Sequence, residues 1–191
     1  MEELEIEYKT LLSRQDFDRI KTRFFQEPAV SQTNHYIDTP DFALKNQQMG
    51  LRIRTFAEKA ELTLKVLQTI GNQEYTQVLP LADATQLLTH FRLPDGSAKT
   101  QLLARGINLT QLRVFGSLTT LRREIKTKIG LLALDENHYA NTIDYELELE
   151  VTDANQGKED FEHFLTINQI PFQYAPNKIA RFSATLTPKE P

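Results

Sequence analysis

Charged and apolar residues alternate along much of the chain, and this alternation predicts a protein built largely from β-strands. Near the N-terminus, Glu5, Glu7 and Lys9 stand at alternate positions with apolar or aromatic residues between them. Because successive side chains of a strand point to opposite faces, a strand here places every charge on one face. The same pattern predicts strands over residues 4–11, 35–39, 51–56, 61–66, 74–79, 117–126, 130–136 and 142–151.

Apolar residues at helical spacing lie between some of these strands and predict amphipathic helices. Ser13 followed by Asp16 resembles a capping box. Phe17, Ile20 and Phe24 then recur at helical spacing, so a helix follows the first strand. Further helices are predicted over about 83–91, 99–105 and 177–186, the last of them ended by Pro188. Another predicted helix lies before Pro171 and carries Phe161, Phe164, Leu165 and Ile167.

The composition is that of an ordinary globular protein. The 191 residues are 40% hydrophobic and 25% charged, which is enough for one sizeable core. No linker or low-complexity segment interrupts the pattern, so we expect a single domain over residues 1–191. No apolar run approaches the roughly 20 residues that span a bilayer, and the N-terminus lacks the regions of a signal peptide. We therefore expect a cytoplasmic protein without a membrane partner.

Net charge and the absence of cysteine narrow the candidate chemistry. The formal net charge of −4 argues against a broad basic surface for nucleic acid, although it leaves room for a local basic cavity. The chain has no cysteine, which excludes disulfide scaffolds, thiolate metal sites and cysteine nucleophiles. Metals that bind oxygen ligands remain open.

The charges on the predicted strands are sorted by sign. Arg52 and Arg54 share one strand face, whereas the strand over 142–151 carries only acids on one face. For a single strand, a solvated face of an antiparallel sheet explains such a pattern. Generic surface strands mix the two signs, however, and about eight strands can close on themselves. We therefore predict an α+β fold: an eight-stranded antiparallel β-barrel with charged faces inside and helices packed outside.

The charges assigned to the inside of this barrel suit a phosphate chain and a divalent metal. Guanidinium groups bind phosphate oxygens with two hydrogen bonds, and lysines add point charges. The predicted anion ligands are Lys9, Arg52, Arg54, Lys65 and one of the pair Arg122 and Arg123. Carboxylates suit Mg²⁺ or Mn²⁺, which bridge to phosphates. The predicted metal ligands are Glu5, Glu7, Glu146 and Glu148.

The same residues give the sequence its resemblance to the CYTH domain family, also called triphosphate tunnel metalloenzymes. Glu5, Glu7 and Lys9 match the family's Glu-x-Glu-x-Lys signature without a gap. A short signature of this kind is weak by itself, but further matches follow in order over nearly the whole chain. They are residues 36–39, 51–54, 62–65, Glu74, Arg122 and Arg123, and residues 134–135, 145–150 and 177–182.

The resemblance extends to the fold and to further site residues. It implies that the eight-stranded antiparallel barrel is a tunnel with helices outside. It also implies that Lys178 or Arg181, on the last helix, reaches toward the tunnel and binds substrate. Glu74, Asp135 and Glu150 lie in matched segments and are additional candidates for the site.

The resemblance also implies a function. Members of the family include inorganic, thiamine and RNA triphosphatases and class IV adenylate cyclases, and this chain most resembles the short CYTH proteins of Gram-positive bacteria. We expect a metal-dependent triphosphatase whose partner is a small molecule that contains a triphosphate. Two alternative functions stay open: a class IV-type adenylate cyclase and a non-catalytic polyphosphate or nucleotide binder. The choice between Mg²⁺ and Mn²⁺ also stays open, as does a homodimeric state. The residues expected to carry catalysis are Glu5, Glu7, Lys9, Arg52, Arg54 and Lys65.

Overall fold

The computed structural model describes residues 1–186, so the predicted end of the last helix at Pro188 lies outside the described part. Its strands are β1 (Glu2–Leu12), β2 (Val30–Asp38), β3 (Met49–Thr55), β4 (Ala60–Leu67), β5 (Asn72–Leu79), β6 (Arg113–Thr127), β7 (Gly130–Tyr139) and β8 (Thr142–Val151). Its helices are α1 (Arg14–Phe24), α2 (Ala43–Asn46), α3 (Leu81–Thr89), α4 (Ser97–Ala104), α5 (Ala154–Ile167) and α6 (Lys178–Ala184), with a 3₁₀-helix over Leu109–Gln111. Every predicted strand and helix overlaps an observed one.

The eight strands close into an antiparallel barrel in the order β1-β5-β4-β3-β2-β6-β7-β8, which confirms the predicted fold class. Strands that follow one another along the chain pair as antiparallel neighbours from β2 to β5 and from β6 to β8. Residues directly opposite each other on antiparallel strands share a face of the sheet. The register therefore shows which side chains lie together.

Contacts divide the chain into two compact units. Unit 1 holds Met1–Leu4 and Gln32–Leu118, and unit 2 holds Glu5–Ser31 and the chain from Thr119 onward. Strands β1 and β6 each contribute residues to both units. Each unit has a buried apolar cluster of its own, so each is stabilised by its own core.

In unit 1 the core lies between strands β3 and β4 and the helices of the same unit. Helix α2 packs on β3, and α3 packs on β3 and β4. Leu51 and Ile53 of β3 are fully buried in this core, whereas Arg52 between them is half-buried on the opposite face. The helices thus cover the apolar face of these strands, and the charged side chains take the other.

In unit 2 helices α1 and α5 pack on strand β8. The Oγ atom of Ser13 accepts a hydrogen bond from the backbone N–H of Asp16 at 3.0 Å, which confirms the predicted cap of α1. Gly157 of α5 lies against Val151 of β8, and a Cβ at residue 157 would come within 2.5 Å of the Val151 side chain. The glycine therefore permits the close approach of α5 to β8.

Some element boundaries differ from the prediction. Strand β2 begins at Val30 rather than at residue 35. Thr33 and Asn34 already pair with Thr55 and Arg54 of β3, although asparagine has a low strand propensity. Helix α5 carries the predicted apolar residues and begins at Ala154, since the Asp153 side chain caps it by accepting from the backbone N–H of Gln156. Within residues 1–186, no helix combines the length and the apolar character that crossing a membrane requires.

Candidate active site

Strands β1, β6, β7 and β8 of unit 2 gather acidic and basic side chains on one side, here called the charged face of unit 2. The register places Arg122 of β6 opposite Asp135 of β7, and Asp135 opposite Glu146 of β8. Lys9 of β1 lies opposite Glu148 of β8. Because directly paired residues point to the same side, these five side chains share the charged face. All five were site candidates from the sequence.

Arg122 is the member of the arginine pair that belongs to this face. Its Nε and Nη2 atoms donate to the two carboxylate oxygens of Asp135 at 2.8 and 2.6 Å. Nη2 also donates to Glu148. Arg123 lies opposite Leu134, on the other side of β6. The sequence left open which arginine of the pair faces the charged side, and the register places Arg122 on the charged face and Arg123 away from it.

Lys178, the first residue of α6, contacts three carboxylates of the charged face. Its Nζ atom lies 2.9 Å from Asp135 Oδ2, 3.1 Å from Glu146 Oε2 and 2.6 Å from Glu148 Oε1. Helix α6 starts at this position because the side chain of Asn177 accepts a hydrogen bond from the backbone N–H of Ala180 at 2.8 Å. The cap therefore sets the point from which Lys178 extends.

Arg181, one turn further along α6, is also buried among acids. Its Nη2 atom donates to Glu146, and its Nε atom lies 3.2 Å from Asp144 Oδ2. Asp144 in turn accepts hydrogen bonds from the Asn137 amide at 2.9 Å and the Tyr139 hydroxyl at 2.6 Å. Arg181 is thus joined to strands β7 and β8 through a polar network.

Strand β1 brings the predicted signature residues to the same face. Lys9 Nζ lies 2.6 Å from Glu7 Oε1, and both side chains are largely buried. Glu5 is half-buried two residues earlier in the strand. Glu150 lies opposite Glu7 in the register, but it is exposed, unlike the buried Glu148. Glu150 therefore lies at the solvent-exposed end of the charged face.

Burial and neighbouring charge move the carboxyl pKa values of unit 2 in opposite directions. Burial raises the pKa of Glu146 above its usual value, and the nearby bases only partly oppose this. Burial also acts to raise the pKa of Glu148, but Lys178 and Arg122 outweigh it and hold that pKa well below its usual value. The pKa of Asp135 is likewise lowered, because Arg122 and Lys178 outweigh the effect of its burial. Asp135 and Glu148 are therefore ionised at neutral pH.

Unit 1 carries a second charged face, formed by β3, β4 and β5 and rich in bases. Arg54 Nε donates to the Asn34 side chain at 2.9 Å. Lys65 Nζ lies 2.6 Å from Glu74 Oε1, and the two residues are opposite each other in the register. Arg52 Nε is buried without a hydrogen-bond partner among the described residues. Because a buried donor without a partner is costly, this atom marks where an acceptor from outside the chain would bind.

Glu74 acts in unit 1 as a counterion to the bases. Burial acts to raise its pKa, but the positive charges of Lys65, Arg52 and Arg54 outweigh burial and lower that pKa. Its carboxylate therefore stays ionised and offsets part of the positive charge on this face. The prediction had named Glu74 as an additional site residue, and the structure brings it next to the predicted phosphate ligands of unit 1.

Comparisons with known proteins identify the family of this chain. A model of the CYTH domain family matches residues 3–183 of the chain. The chain belongs to the CYTH family. It is 39% identical over 184 residues to the "Putative triphosphatase YjbK" of Bacillus subtilis (strain 168), with 95% of each chain covered.

Solved structures extend the likeness of this CYTH protein to the fold. The structure of a "putative adenylate cyclase" from Bacillus halodurans is 35% identical, has a TM-score of 0.90, and covers 95% of this chain and 98% of its own. A protein from Hippeastrum, described as a putative adenylyl cyclase with a dominant triphosphatase activity, is 23% identical with a TM-score of 0.83. That alignment covers 95% of this chain and 96% of the other, and it shows a shared fold.

Membership in the CYTH family implies a divalent metal cation. The acids of unit 2 can be compared with the ligands that such a cation prefers. They offer only oxygen donors, which suit a hard cation. Glu146 Oε1 is buried and has no hydrogen-bond partner within residues 1–186, so its lone pairs are available. As the side chains stand, the described residues contain no group of three or more Asp, Glu, His or Cys residues arranged to hold a metal. The donor chemistry fits, but bases of the chain now contact the carboxylates.

Sequence reasoning missed Asp144 as a member of this CYTH site. Asp144 shares the face of Glu146, which the alternation along β8 already indicated. Its contact with Arg181 could not be foreseen, because a helix and a strand far apart in sequence meet there. Asn34 was missed in the same way, since only the pairing of β2 with β3 brings it to Arg54.

Proposed function

We propose that the protein is a metal-dependent triphosphatase that hydrolyses inorganic triphosphate or a small organic triphosphate. The observation that carries the proposal is the basic face of unit 1, where the buried Arg52 Nε has no acceptor among the described residues. Two further observations support it. The chain belongs to the CYTH family, and a relative 39% identical to it is named a putative triphosphatase.

In unit 1 we assign phosphate binding to Arg52, Arg54 and Lys65. Guanidinium groups present several N–H donors in a plane, which match the oxygens of a phosphate with two hydrogen bonds at once. Lys65 adds a point charge, and Glu74, paired with it at 2.6 Å, keeps it in place. This set orients the phosphate chain and neutralises part of its charge, which supplies most of the catalysis when the transition state is loose.

In unit 2 we assign Glu5, Glu7, Glu146 and Glu148 to the divalent cation, with Mg²⁺ and Mn²⁺ as the candidates. When bound, such a cation supplies charge neutralisation at the phosphate oxygens. Lys9, 2.6 Å from Glu7, is assigned to phosphate and holds the Glu7 carboxylate in position. A glutamate of the same set orients the attacking water. The oxygen-only donor set and the available Glu146 Oε1 support this assignment.

Product analysis tests the proposal. The purified chain is incubated with inorganic triphosphate, ATP or thiamine triphosphate, each with Mg²⁺, with Mn²⁺ and with a chelator. We expect phosphate release that requires the metal. In the Glu7→Gln variant, metal-dependent turnover is expected to disappear while the circular dichroism spectrum stays that of the wild type. Full activity of this variant, or phosphate release in the chelator, contradicts the assignment.

A second function has one observation in its favour. The solved structure from Bacillus halodurans, 35% identical to this chain, is described as a putative adenylate cyclase. Cyclisation requires the ribose 3′-hydroxyl to attack the α-phosphorus, so its products from ATP are cyclic AMP and pyrophosphate. The same incubation with ATP separates the two reactions, because the triphosphatase releases phosphate and no cyclic AMP.

A further inference from the structure

Lys178 has more acidic partners than a substrate-binding lysine needs. A lysine ammonium has three N–H donors. Here the Nζ atom lies within 2.6 to 3.1 Å of one oxygen each of Asp135, Glu146 and Glu148. Its side chain is only 12% exposed. The ammonium donates a hydrogen bond to Glu148 and lies in ion-pair contact with Asp135 and Glu146, so three carboxylates of unit 2 surround it.

Two of these carboxylates, Glu146 and Glu148, are among the proposed metal ligands. The environment of the Lys178 ammonium, a group of carboxylate oxygens around a positive charge, is also one that a divalent ion binds. Lys178 fills that environment with a single positive charge. Charge repulsion makes it unfavourable for the ammonium and a divalent cation to occupy the same group of carboxylates.

The compensation that Lys178 provides is incomplete. Glu146 Oε1 is buried and has no hydrogen-bond partner within the described chain, although Glu146 Oε2 is contacted by Lys178 and Arg181. The cluster thus retains an oxygen that a further cation can bind.

Helix α6 can remain in place while the Lys178 side chain moves. Arg181 joins α6 to Asp144 at 3.2 Å and to the carbonyl oxygen of Pro176 at 3.0 Å. Asp144 is itself held by Asn137 and Tyr139. Lys178, by contrast, reaches the cluster on a flexible four-carbon stem. The helix has one anchoring base and one base that can rotate away.

We propose that Lys178 is an internal counterion that occupies the divalent-cation site of the metal-free protein and leaves it when the metal binds. The proposal rests on the proposed metal ligands. Departure from the carboxylates frees the ammonium to bind a phosphate oxygen, so metal binding and the availability of this base for phosphate are coupled through one side chain. In the metal-free protein the same ammonium keeps the acids from repelling one another.

Metal binding without substrate tests this directly. Isothermal titration calorimetry with MnCl₂ compares the wild type, Lys178→Met, Lys178→Arg and Lys158→Met, all as full chains treated with chelator. Lys158 is an exposed lysine with only a loose contact of 3.9 Å to Glu162. Loss of the competing charge should tighten Mn²⁺ binding of Lys178→Met by at least about tenfold. Lys178→Arg and Lys158→Met should bind like the wild type.

A Lys178→Met variant that binds Mn²⁺ no more tightly than the wild type overturns the proposal, as does the absence of binding to both. Because this variant could fail to fold, a second measurement uses the wild type alone. Acetylation of lysines is quantified by mass spectrometry with and without Mn²⁺. We expect Mn²⁺ to increase the acetylation of Lys178 and to leave that of Lys158 unchanged. Equal or reduced acetylation of Lys178 overturns the proposal.

These outcomes are separate from those of the proposed function. Metal-dependent release of phosphate by the wild type, together with unchanged Mn²⁺ affinity in Lys178→Met, rejects the counterion and keeps the triphosphatase. Tighter Mn²⁺ binding in Lys178→Met, together with a wild type that hydrolyses no triphosphate, rejects the triphosphatase and keeps the counterion.

Discussion

The charged faces of the two units differ in how their charges are compensated. In unit 2 the acids are contacted by bases of the chain itself. Arg122, for example, donates two hydrogen bonds to Asp135. On the charged face of unit 1, formed by β3, β4 and β5, bases outnumber acids. Arg52 Nε on this face has no acceptor among the described residues. Unit 1 therefore offers a buried donor to an anion as it stands, whereas under the proposed function unit 2 must exchange internal partners before it binds a cation.

This difference predicts that substitutions in the two units affect different properties. Removing an acid from unit 2 leaves buried bases with too few acidic partners, so stability should suffer. Removing a base from unit 1 takes away a ligand for phosphate, so activity should suffer while the fold remains.

The largest effect is expected for Asp135→Ala in unit 2. Asp135 is fully buried and contacts both Arg122 and Lys178, so its removal takes one acidic partner from each of two bases and both hydrogen bonds to Asp135 from Arg122. Loss of one partner of a buried ion pair costs about 3–5 kcal/mol. Urea unfolding should show this decrease in the free energy of unfolding. A decrease below about 1 kcal/mol, the range of an exposed pair, would remove the contrast between the units.

A large effect on activity is expected for Arg52→Gln in unit 1. The substitution removes the guanidinium fork and should lower kcat/KM for triphosphate by about 10²–10³-fold, as loss of a donor to a charged transition state does. The urea midpoint should stay near that of the wild type. The charge-conserving Arg52→Lys serves as the matched control and should lose less. If Arg52→Gln instead lowers the urea midpoint and keeps the kcat/KM of the wild type, the roles assigned to the two units are reversed.

Acid should weaken unit 2 through Asp135 and Glu148. Both have lowered pKa values in the folded protein, so their stabilisation is complete above the unfolded values of about 4 and is lost as the pH falls below them. The raised pKa of Glu146 acts in the opposite sense, since its protonation in acid relieves an unfavourable buried charge. We expect the free energy of unfolding to fall between about pH 5 and pH 3. The decrease should be smaller in Glu148→Gln, and an equal decrease would contradict the pairing.

The smallest effect is expected for Arg123→Gln. Arg123 lies opposite Leu134 on the side of β6 away from the charged face. Its substitution should change the free energy of unfolding by no more than about 0.5 kcal/mol and leave kcat/KM as in the wild type. The matched Arg122→Gln should lower stability, because Asp135 then loses its two hydrogen bonds. Equal effects of the two substitutions would show that the register does not separate their roles.

The sequence predicts the faces of strands well because alternation is a local property. Arg52 and Arg54 alternate with buried apolar residues in a single strand, and no other part of the chain is needed to place them. The pair Arg122 and Arg123 could not be resolved in this way. Each of the two adjacent positions carries a base, so only the pairing with Asp135 distinguishes them. Register between strands is set by contacts distant in sequence.

The partners of the charged side chains were harder to predict than their faces. Only the family resemblance indicated that Lys178 reaches toward the strands that carry the acids. Its contacts with Asp135, Glu146 and Glu148 depend on how α6 packs.

Short elements were missed for a different reason. Helix α2 has four residues and follows Phe42 at a positive φ of 55°, and such a turn has no periodic signal.

Strands β1 and β6 each supply residues to both units, so neither unit corresponds to one continuous stretch of the gene. A fragment that begins at Gln32 and ends at Leu118 would lack Met1, whose carbonyl oxygen accepts a hydrogen bond from the backbone N–H of Thr76 at 2.9 Å. Serial truncation from either terminus would therefore remove pieces of a shared strand before it removed a unit. Dissecting this molecule calls for internal splicing or circular permutation instead of end deletions.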